Sequence, residues 1–519
     1  MAGRECCDNK FSPLFSAALL AIVSGVLTTL SLAPFKLWPL ALLSTFIFYG
    51  VIRQRSVNQA FFLGWLFGAG LFLSGASWVY VSIHDYGYTS APLASILTLL
   101  FCSGLALCCA ITWALYAAIE EKQPLNKQNG CSAIRHAALF SLLWIAGEWA
   151  RSWLLSGFPW LFIGYSQTES ILAGWAPIIG VYGIGWILCF SAAIARHFIQ
   201  AERQHRPYGA IAVAVALWLT AISLEPIQWT RTEGPTLRVS LVQANISQHD
   251  KWRAEYRDTI INRHRKMSAT HWQKSDLIIW PEAAIPQYYQ QLEPLMQQLN
   301  ARASESNTTL LTGIPYYDPY HRAAHNSVIA LGEGSGVYHK QRLVPFGEYT
   351  PLQSLLGSLM TVFELPVAKM KAGSATQAPL SIGQWRSRPL ICYEIVYPAL
   401  SAAAARSSDV LITVSNDSWF GRSIGPLQHL QMAQMRALET GRYVLRGTGN
   451  GVSAIIRPDG SLAQHSQQFQ RQVLVGEFRA TAGNTPWVAA GHWMLPSAIA
   501  LSLITLSLIT LRRTMISRK

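Results

Sequence analysis

The polarity of this chain changes sharply along its length, and that change limits what the chain can fold into. Residues 11–225 and 489–511 are apolar with few charges, whereas residues 231–487 have the polarity of an ordinary soluble domain. Over the whole chain 13% of residues are charged and 51% are hydrophobic, and the charged share is about half that of a usual globular protein. The pattern predicts a polytopic α-helical membrane part joined to a soluble domain.

The apolar parts divide into segments that suit bilayer-spanning helices, each of which needs about 20 residues. Eight segments are predicted, at 13–34, 37–52, 58–82, 92–119, 136–155, 171–199, 209–225 and 489–511. The second segment is short, and a re-entrant or tilted piece is an alternative reading of it.

Basic residues orient these segments. If the eight spans alternate in direction, fourteen basic residues of the membrane part fall on one side: Arg4, Lys10, Arg53, Arg55, Lys122, Lys127, Arg135, Arg196, Arg203, Arg206, Arg512, Arg513, Arg518 and Lys519. Only Lys36 and Arg151 fall on the other side. Because cytoplasmic loops are enriched in Lys and Arg, both termini are predicted to be cytoplasmic and residues 231–487 to lie outside the cytoplasm. The net charge of +14 includes no dense basic run, which indicates membrane topology and not nucleic-acid binding.

The soluble part alternates strand-like and helix-like runs, as layered α/β domains do. Strands are predicted at Leu237–Gln243, Asp276–Trp280, Thr309–Gly313, Ser327–Leu331, Leu390–Cys392 and Val410–Val414. Helices are predicted at Trp252–Ser268 and Leu427–Glu439.

Cys392 stands at the end of one of these strand-like runs. A lone cysteine in an apolar run is usually a small core residue, but a thiol at the end of a rigid strand can also be held as a nucleophile. Cys392 is the only cysteine between Cys189 and the C-terminus. In an oxidising compartment an unpaired cysteine is notable, which favours the catalytic reading.

Two ionisable residues have similar settings. Glu282 follows the apolar run Asp276–Trp280, where nearby apolar walls would raise its pKa and suit it to act as a base. Lys340 also follows a strand-like run and offers an ammonium group for an oxyanion. Taken singly, each is more typical of a surface charge. Together with Cys392 they form a coherent acyl-transfer set, in which the carboxylate takes the thiol proton and the ammonium stabilises the tetrahedral intermediate.

The phrases around these residues resemble a known family. Trp280-Pro-Glu282, Lys340 with Phe346-Gly-Glu348, and Cys392-Tyr-Glu394 are similar to the Glu-Lys-Cys triad of the nitrilase (carbon-nitrogen hydrolase) superfamily. The fuller resemblance, over nearly the whole chain, is to bacterial apolipoprotein N-acyltransferases, through residues 77–85, 148–151, 157–160, 245–252, 416–421 and 428–439. Gln341 and Gly449 depart from residues common in that family, and neither belongs to the triad.

The resemblance implies both fold and site. It implies about eight transmembrane helices and a nitrilase-like αββα sandwich, divided into a membrane domain at 1–230, a periplasmic catalytic domain at 231–487 and a C-terminal helix and tail at 488–519. The residues it implies are Glu282 as base, Lys340 for the oxyanion, Cys392 as nucleophile, Glu348 in support of the lysine, Tyr393 and Glu394 lining the site, Trp252 and Trp419 against lipid or substrate, and Glu439 as a further polar member.

The implied reaction is ping-pong transfer in the bacterial inner membrane. An acyl chain passes from a phospholipid, typically phosphatidylethanolamine, to Cys392 as a thioester, and then to the α-amine of a diacylglyceryl-cysteine on an apolipoprotein. No metal or organic cofactor is implied. The nearer alternative is a membrane-tethered amidase or nitrilase that uses water as the acceptor. A transporter is a more distant one, because the membrane part has few ionisable residues beyond Glu148 and Arg151.

Two local features keep alternative readings. Residues 351–366 carry leucines at helical spacing with Glu364 as the only charge, which fits either a core helix or an amphipathic arm on the membrane. Glu148 and Arg151 lie three residues apart on a predicted helix, as a self-neutralising pair or as a polar contact at the mouth of a site.

Overall fold

A computed structural model describes residues 12–121, 130–350 and 370–491, together with residues 496, 497 and 500. The predicted helix or arm at 351–366 and nearly all of the apolar segment 489–511 lie outside these residues, so both remain predictions.

The N-terminal part is helical, and each of its seven predicted apolar segments contains a helix. The helices are Ser12–Leu30, Pro39–Ile52, Val57–Gly75, Val79–Val81, Ala91–Glu121, Gly130–Arg151, Ala176–Gln200 and Tyr208–Leu224. Three stretches in the described part of the chain are long and apolar enough to cross a membrane: Val57–Gly75, Ala91–Glu121 and Ile171–Gln200. The structure therefore supports a helical membrane part, and the number of eight spans stays a prediction.

Local sequence signals explain how these helices begin and pack. Ser56 caps the helix Val57–Gly75, because its hydroxyl accepts from the backbone N–H of Gln59 while the Gln59 side chain accepts from the Ser56 backbone. A Cβ at Gly25 would lie 2.2 Å from the Phe67 carbonyl oxygen, and one at Gly70 would lie 2.4 Å from that of Ile22. Glycine at both positions thus lets the first and third apolar helices approach closely.

The described residues of the soluble part form three sheets. Its strands are β1 Arg231–Gln243, β2 Leu277–Ile279, β3 Thr309–Asp318, β4 Ala323–Gly332, β5 Gly334–Ser335, β6 Val337–His339, β7 Leu380–Ile382, β8 Trp385–Ser387, β9 Leu390–Ile391, β10 Leu411–Ser415, β11 Val444–Thr448, β12 Ala454–Ile456, β13 Leu462–His465 and β14 Gln472–Ala482. One sheet has the order β14-β1-β2-β3-β4-β6, a second has the order β13-β12-β11-β10-β9, and a small third sheet has the order β5-β7-β8. All six predicted strands are present, with ends that shift by a few residues.

The two large sheets pack face to face. Val239, Leu241 and Ile279 from the six-stranded sheet share a fully buried core with Ile412 and Leu445 from the five-stranded sheet. The helices of the soluble part are Gln248–Lys251, Arg257–Ser268, Glu293–Glu305, Pro398–Ala405, Gly425–Thr440 and Pro486–Ala490. Arg257–Ser268 and Glu293–Glu305 cover the outer face of the six-stranded sheet. Pro398–Ala405 and Gly425–Thr440 cover the outer face of the other, so the layers follow the predicted αββα order.

The N-terminal helices pack directly on this second helical layer. Val181 and Ile184 of the helix Ala176–Gln200 belong to the same hydrophobic core as Met432 and Met435 of the helix Gly425–Thr440. The two parts of the chain are therefore joined through a continuous apolar interface, which lies on the side of the sandwich that carries Cys392.

Candidate active site

Three strand ends bring the predicted triad residues to one place. Glu282 comes three residues after β2, Lys340 directly follows β6, and Cys392 directly follows β9. The strands β2 and β6 belong to the six-stranded sheet, whereas β9 is an edge strand of the five-stranded sheet. The site therefore lies where the two sheets face each other at one end of the sandwich.

Glu282, Lys340 and Glu348 form a buried charged cluster. The Lys340 ammonium nitrogen lies 3.5 Å from Glu282 Oε1 and 2.9 Å from Glu348 Oε2, and the lysine side chain is 1% exposed. Asn326 links the two carboxylates, because its side-chain amide donates to Glu282 Oε1 at 2.7 Å and to Glu348 Oε1 at 2.9 Å. The backbone N–H of Asn416 donates to the other Glu282 oxygen at 2.7 Å. Each carboxylate is thus fixed through both of its oxygens.

The charges in this cluster determine the protonation of the lysine. Burial alone would lower the pKa of Lys340, but the carboxylates of Glu348 and Glu282 outweigh that effect and hold its pKa above the usual value. Lys340 therefore remains an ammonium ion at neutral pH.

Cys392 occupies a strained turn beside this cluster. Its φ angle is +52°, in the left-handed region that residues with a Cβ rarely adopt. Burial raises the pKa of its thiol to about 12, the Glu282 carboxylate adds to that rise, and the Lys340 ammonium opposes it. The thiol is therefore protonated at neutral pH and needs a base to become a nucleophile. Cys392 as a whole residue is half-buried.

Glu394 and Tyr393 hold the segment that carries Cys392. Glu394 Oε2 accepts from the backbone N–H of Ile391 at 2.7 Å, and its Oε1 accepts from the backbone N–H groups of Gln341 and Arg342. One buried carboxylate therefore ties the turn at Cys392 to the chain that follows Lys340. The Tyr393 hydroxyl donates to the Gly157 carbonyl of the N-terminal part at 3.0 Å.

The predicted tryptophans lie at the surface. Trp252 is 52% exposed and Trp419 is 40% exposed. The Trp419 ring packs against Tyr86 of the N-terminal part, and Ser82 donates to the Trp419 carbonyl oxygen at 2.8 Å. Both rings are exposed enough to contact a substrate. Their predicted roles in binding lipid or substrate stay predictions.

Glu439 has a different place from the one predicted for it. It pairs with Arg436 at 3.0 Å, and its Oε1 accepts from the backbone N–H of Val181 at 2.8 Å. These contacts put Glu439 in the interface with the N-terminal helices and not in the cluster around Lys340. The sequence could place it on the helix Leu427–Glu439 but could not show which side of that helix it occupies.

Several residues of the site were missed by sequence reasoning. Asn326 lies inside the strand β4, and nothing in its local pattern distinguishes it from a structural asparagine. Lys251 is 5% exposed and its ammonium donates to the Glu282 carbonyl oxygen at 2.9 Å. Burial lowers the pKa of Lys251 to about 8, although the Glu282 carboxylate opposes the change. Lys251 lies within the quoted phrase 245–252 and Asn326 directly precedes the predicted strand at Ser327–Leu331, but only the fold shows that both meet Glu282.

A thiol, a carboxylate and an ammonium in this arrangement suit attack on a carbonyl carbon. The carboxylate is close enough to the thiol to affect its pKa, and the lysine can stabilise a developing oxyanion. Within residues 12–121, 130–350 and 370–491, no group of three or more His, Cys, Asp or Glu side chains could hold a metal ion.

Comparison with known proteins gives two family matches and close relatives. Residues 24–194 match the apolipoprotein N-acyltransferase N-terminal domain, and residues 238–486 match the carbon-nitrogen hydrolase family, which identifies the fold of the sandwich. A structure of a CN-hydrolase superfamily protein from Xanthomonas campestris is 17% identical, with a TM-score of 0.36, over 47% of this chain and 91% of that one.

The relatives match nearly end to end. An apolipoprotein N-acyltransferase from Azotobacter vinelandii is 42% identical over 499 residues, which are 95% of each chain. Another from Pseudomonas syringae pv. tomato is also 42% identical, over 93% of this chain and 94% of the relative. Identity at this level over both parts of the chain shows that this protein belongs to the apolipoprotein N-acyltransferase family.

Proposed function

We propose that this protein transfers an acyl chain from a phospholipid, through a thioester on Cys392, to the α-amine of the diacylglyceryl-cysteine of an apolipoprotein. The observation that carries the proposal is the position of Cys392, whose thiol lies close enough to the buried Glu282 and Lys340 for both charges to shift its pKa. The site also adjoins the apolar helices through the Gly157 contact, so a lipid in the bilayer could reach it without being extracted into water.

In the first half-reaction, Glu282 takes the proton from the Cys392 thiol as the sulfur attacks an ester carbonyl carbon of the phospholipid. Lys340 stabilises the oxyanion of the tetrahedral intermediate, and Glu348 keeps the ammonium in place. The ester C–O bond then breaks, and Glu282 returns the proton to the leaving oxygen. The products are a thioester on Cys392 and a lysophospholipid.

In the second half-reaction, the amine nitrogen of the acceptor attacks the thioester carbonyl. An amide bond forms and the C–S bond breaks, while Glu282 accepts a proton from the amine and returns it to the thiolate. A thioester reacts with water as well as with amines, so water must be kept from the site between the two steps. Trp252 and Trp419 are proposed to contact lipid or acceptor there.

The location of the reaction is part of the proposal. The charge distribution supports eight spans in an inner membrane, with both termini cytoplasmic and the sandwich in the periplasm. The corresponding parts are 1–230, 231–487 and 488–519. Phosphatidylethanolamine is the proposed acyl donor.

The decisive experiment measures the mass of Cys392 peptides after incubation of the purified protein with phosphatidylethanolamine alone. An acyl adduct on Cys392 is expected, and Cys392→Ala should abolish it. Cys189→Ala is a matched control, because it removes a buried cysteine from a membrane helix and should leave the adduct unchanged. An adduct on another residue, or an active Cys392→Ala enzyme, would overturn the mechanism.

Further variants separate the roles of the carboxylates. Glu282→Gln should slow adduct formation by roughly 100- to 10,000-fold, which is the usual contribution of a general base. Glu348→Gln should be milder if Glu348 only supports Lys340. Lysophospholipid release with and without an apolipoprotein peptide tests the rival hydrolase, since rapid turnover without the peptide would indicate that water is the acceptor.

A further inference from the structure

A second polar network adjoins the backbone of Cys392. His429 Nε2 lies 3.1 Å from the Cys392 carbonyl oxygen, and His429 Nδ1 lies 3.1 Å from an Arg446 guanidinium nitrogen and 3.2 Å from Asp417 Oδ1. Arg446 also donates to Asp417 Oδ2 at 2.6 Å, and Ser415 donates to Asp417 Oδ1 at 2.5 Å. The side chains of His429, Asp417 and Arg446 are at most 1% exposed.

The partners of the imidazole determine where its proton lies. The Cys392 carbonyl oxygen can only accept, so Nε2 carries a hydrogen. Nδ1 faces both the Arg446 guanidinium, which can only donate, and Asp417 Oδ1, which can only accept, and in the neutral imidazole it accepts from Arg446. Burial and the Arg446 charge lower the pKa of His429, which favours this neutral form over an imidazolium. In the neutral form the imidazole links the fixed Arg446 and Asp417 pair to the backbone of Cys392.

Cys392 needs such a link because its backbone is strained. A left-handed φ angle is unfavourable for a residue with a Cβ and persists only where neighbouring contacts enforce it. Glu394 holds the N–H of Ile391 before Cys392, and His429 holds the carbonyl of Cys392 itself. The backbone N–H of Ile391, one residue before the thiol-bearing residue, and the carbonyl of that residue are therefore fixed from two different elements.

We propose that His429 is a positioning residue for the acyl transfer inferred above: its Nε2–H holds the Cys392 carbonyl, and so fixes the direction in which the thiol points. The inference rests on the proposed function, but it goes beyond the triad. His429 does not touch the lipid. It acts on the reaction through the backbone of the nucleophile, with Arg446 and Asp417 setting its orientation.

The test compares two reactions of the same thiol in His429→Leu and His429→Gln. Acylation by phosphatidylethanolamine requires an aligned sulfur, whereas alkylation by iodoacetamide requires only an accessible thiolate. His429→Leu should slow acylation by roughly 100-fold, the typical cost of a small misalignment, at an unchanged half-saturating lipid concentration. Its alkylation rate per folded molecule should stay near that of the wild type. His429→Gln should recover most of the acylation rate, because its amide N–H can donate to the same carbonyl.

His264→Gln is the matched control. His264 is as buried as His429, but its Nδ1 bonds the Ile260 carbonyl of its own helix. The ratio of acylation to alkylation should remain at the wild-type value in this variant, whatever its stability. If the ratio is also unchanged in His429→Leu, or if His429→Gln recovers nothing while folding normally, the positioning role is wrong. Absence of any adduct in the wild type would instead refute the proposed function.

Discussion

The two helical layers of the sandwich differ in what lies outside them. One layer covers the six-stranded sheet and is called the outer layer here; its helix Glu293–Glu305 buries only Met296, Leu299 and Ala303 and leaves its other side to solvent. The other layer covers the five-stranded sheet, lies under the N-terminal helices and is called the covered layer. In the covered layer, every residue of the helix Gly425–Thr440 except Leu427 is buried. The helix Glu293–Glu305 is therefore an ordinary amphipathic surface helix. The helix Gly425–Thr440, called the covered helix here, lies between a sheet and the N-terminal helices.

This difference indicates where the catalytic domain depends on the rest of the chain. The covered helix carries His429, and its neighbour Gln428 accepts from the Trp160 indole N–H of the N-terminal part at 2.7 Å. The outer layer has no such contact among the residues that the structure describes. Changes in the covered layer should therefore affect both the joint between the two parts and the geometry of the thiol.

The largest expected effect is on the buried pair of the covered layer. Glu439→Ala leaves the fully buried Arg436 without its partner and the Val181 N–H without its acceptor, and should lower the free energy of unfolding by about 3–5 kcal/mol. Glu305→Ala is the matched change in the outer layer, where Glu305 pairs loosely with Arg302 at 3.9 Å. It should cost less than about 1 kcal/mol. Thermal unfolding in detergent measures both variants. Equal losses would contradict the difference between the layers.

The sequence alone predicted much of this arrangement. Alternating apolar runs indicated the six strands, and the residues at three strand ends, Glu282, Lys340 and Cys392, are those that the fold gathers. The strand predictions succeed because a strand and the turn after it are set by neighbouring residues. The strands β5, β7, β8 and β11 to β14 were not predicted. Of these, β5, β7 and β8 have only two or three residues, which give no periodic pattern.

What the sequence did not indicate depends on contacts between distant elements. Glu439 was expected as a further polar member of the site, and its carboxylate accepts from the backbone N–H of Val181, about 260 residues earlier. The residues next to His429 and Asn326 in the sequence do not indicate their roles, because a buried polar side chain can form hydrogen bonds with many different partners. The pairing of the two sheets and the covering of one helical layer by the membrane part are long-range features of the same kind.

The second prediction concerns a carboxyl group buried on the covered side. Burial raises the pKa of Glu394 from 4.5 to about 7, against the opposing backbone N–H groups of Ile391 and Gln341. The folded state then binds the proton more tightly than the unfolded chain, so the free energy of unfolding should fall as the pH rises from about 4.5 to about 7. The fall is on the order of 3 kcal/mol. Glu394→Gln cannot titrate and should lose that slope.

Unfolding measured at pH 5, 6, 7 and 8 checks this prediction. Glu305→Gln, in the exposed outer layer, should keep the wild-type slope. A wild-type stability that rises over this range, with no difference in slope from Glu394→Gln, would show that Glu394 is ionised throughout.

The smallest effect should appear in the rate of acylation, through a tryptophan that touches no substrate. Trp160 packs against the rings of His429 at 5.6 Å and Tyr393 at 6.4 Å, so it supports two of the residues that hold the turn at Cys392. Trp160→Leu should slow acylation per folded molecule by about tenfold, because losing that support misaligns the thiol less than losing the His429 bond itself. Trp272→Leu removes a similarly buried ring from the core beneath the outer layer and should lower stability without changing that rate.

Acylation rates normalised to the folded fraction are compared between the two variants. A matching loss of rate in both variants would mean that the thiol responds to general loosening of the sandwich, whereas a loss in Trp160→Leu alone would show that the N-terminal helices help to aim it.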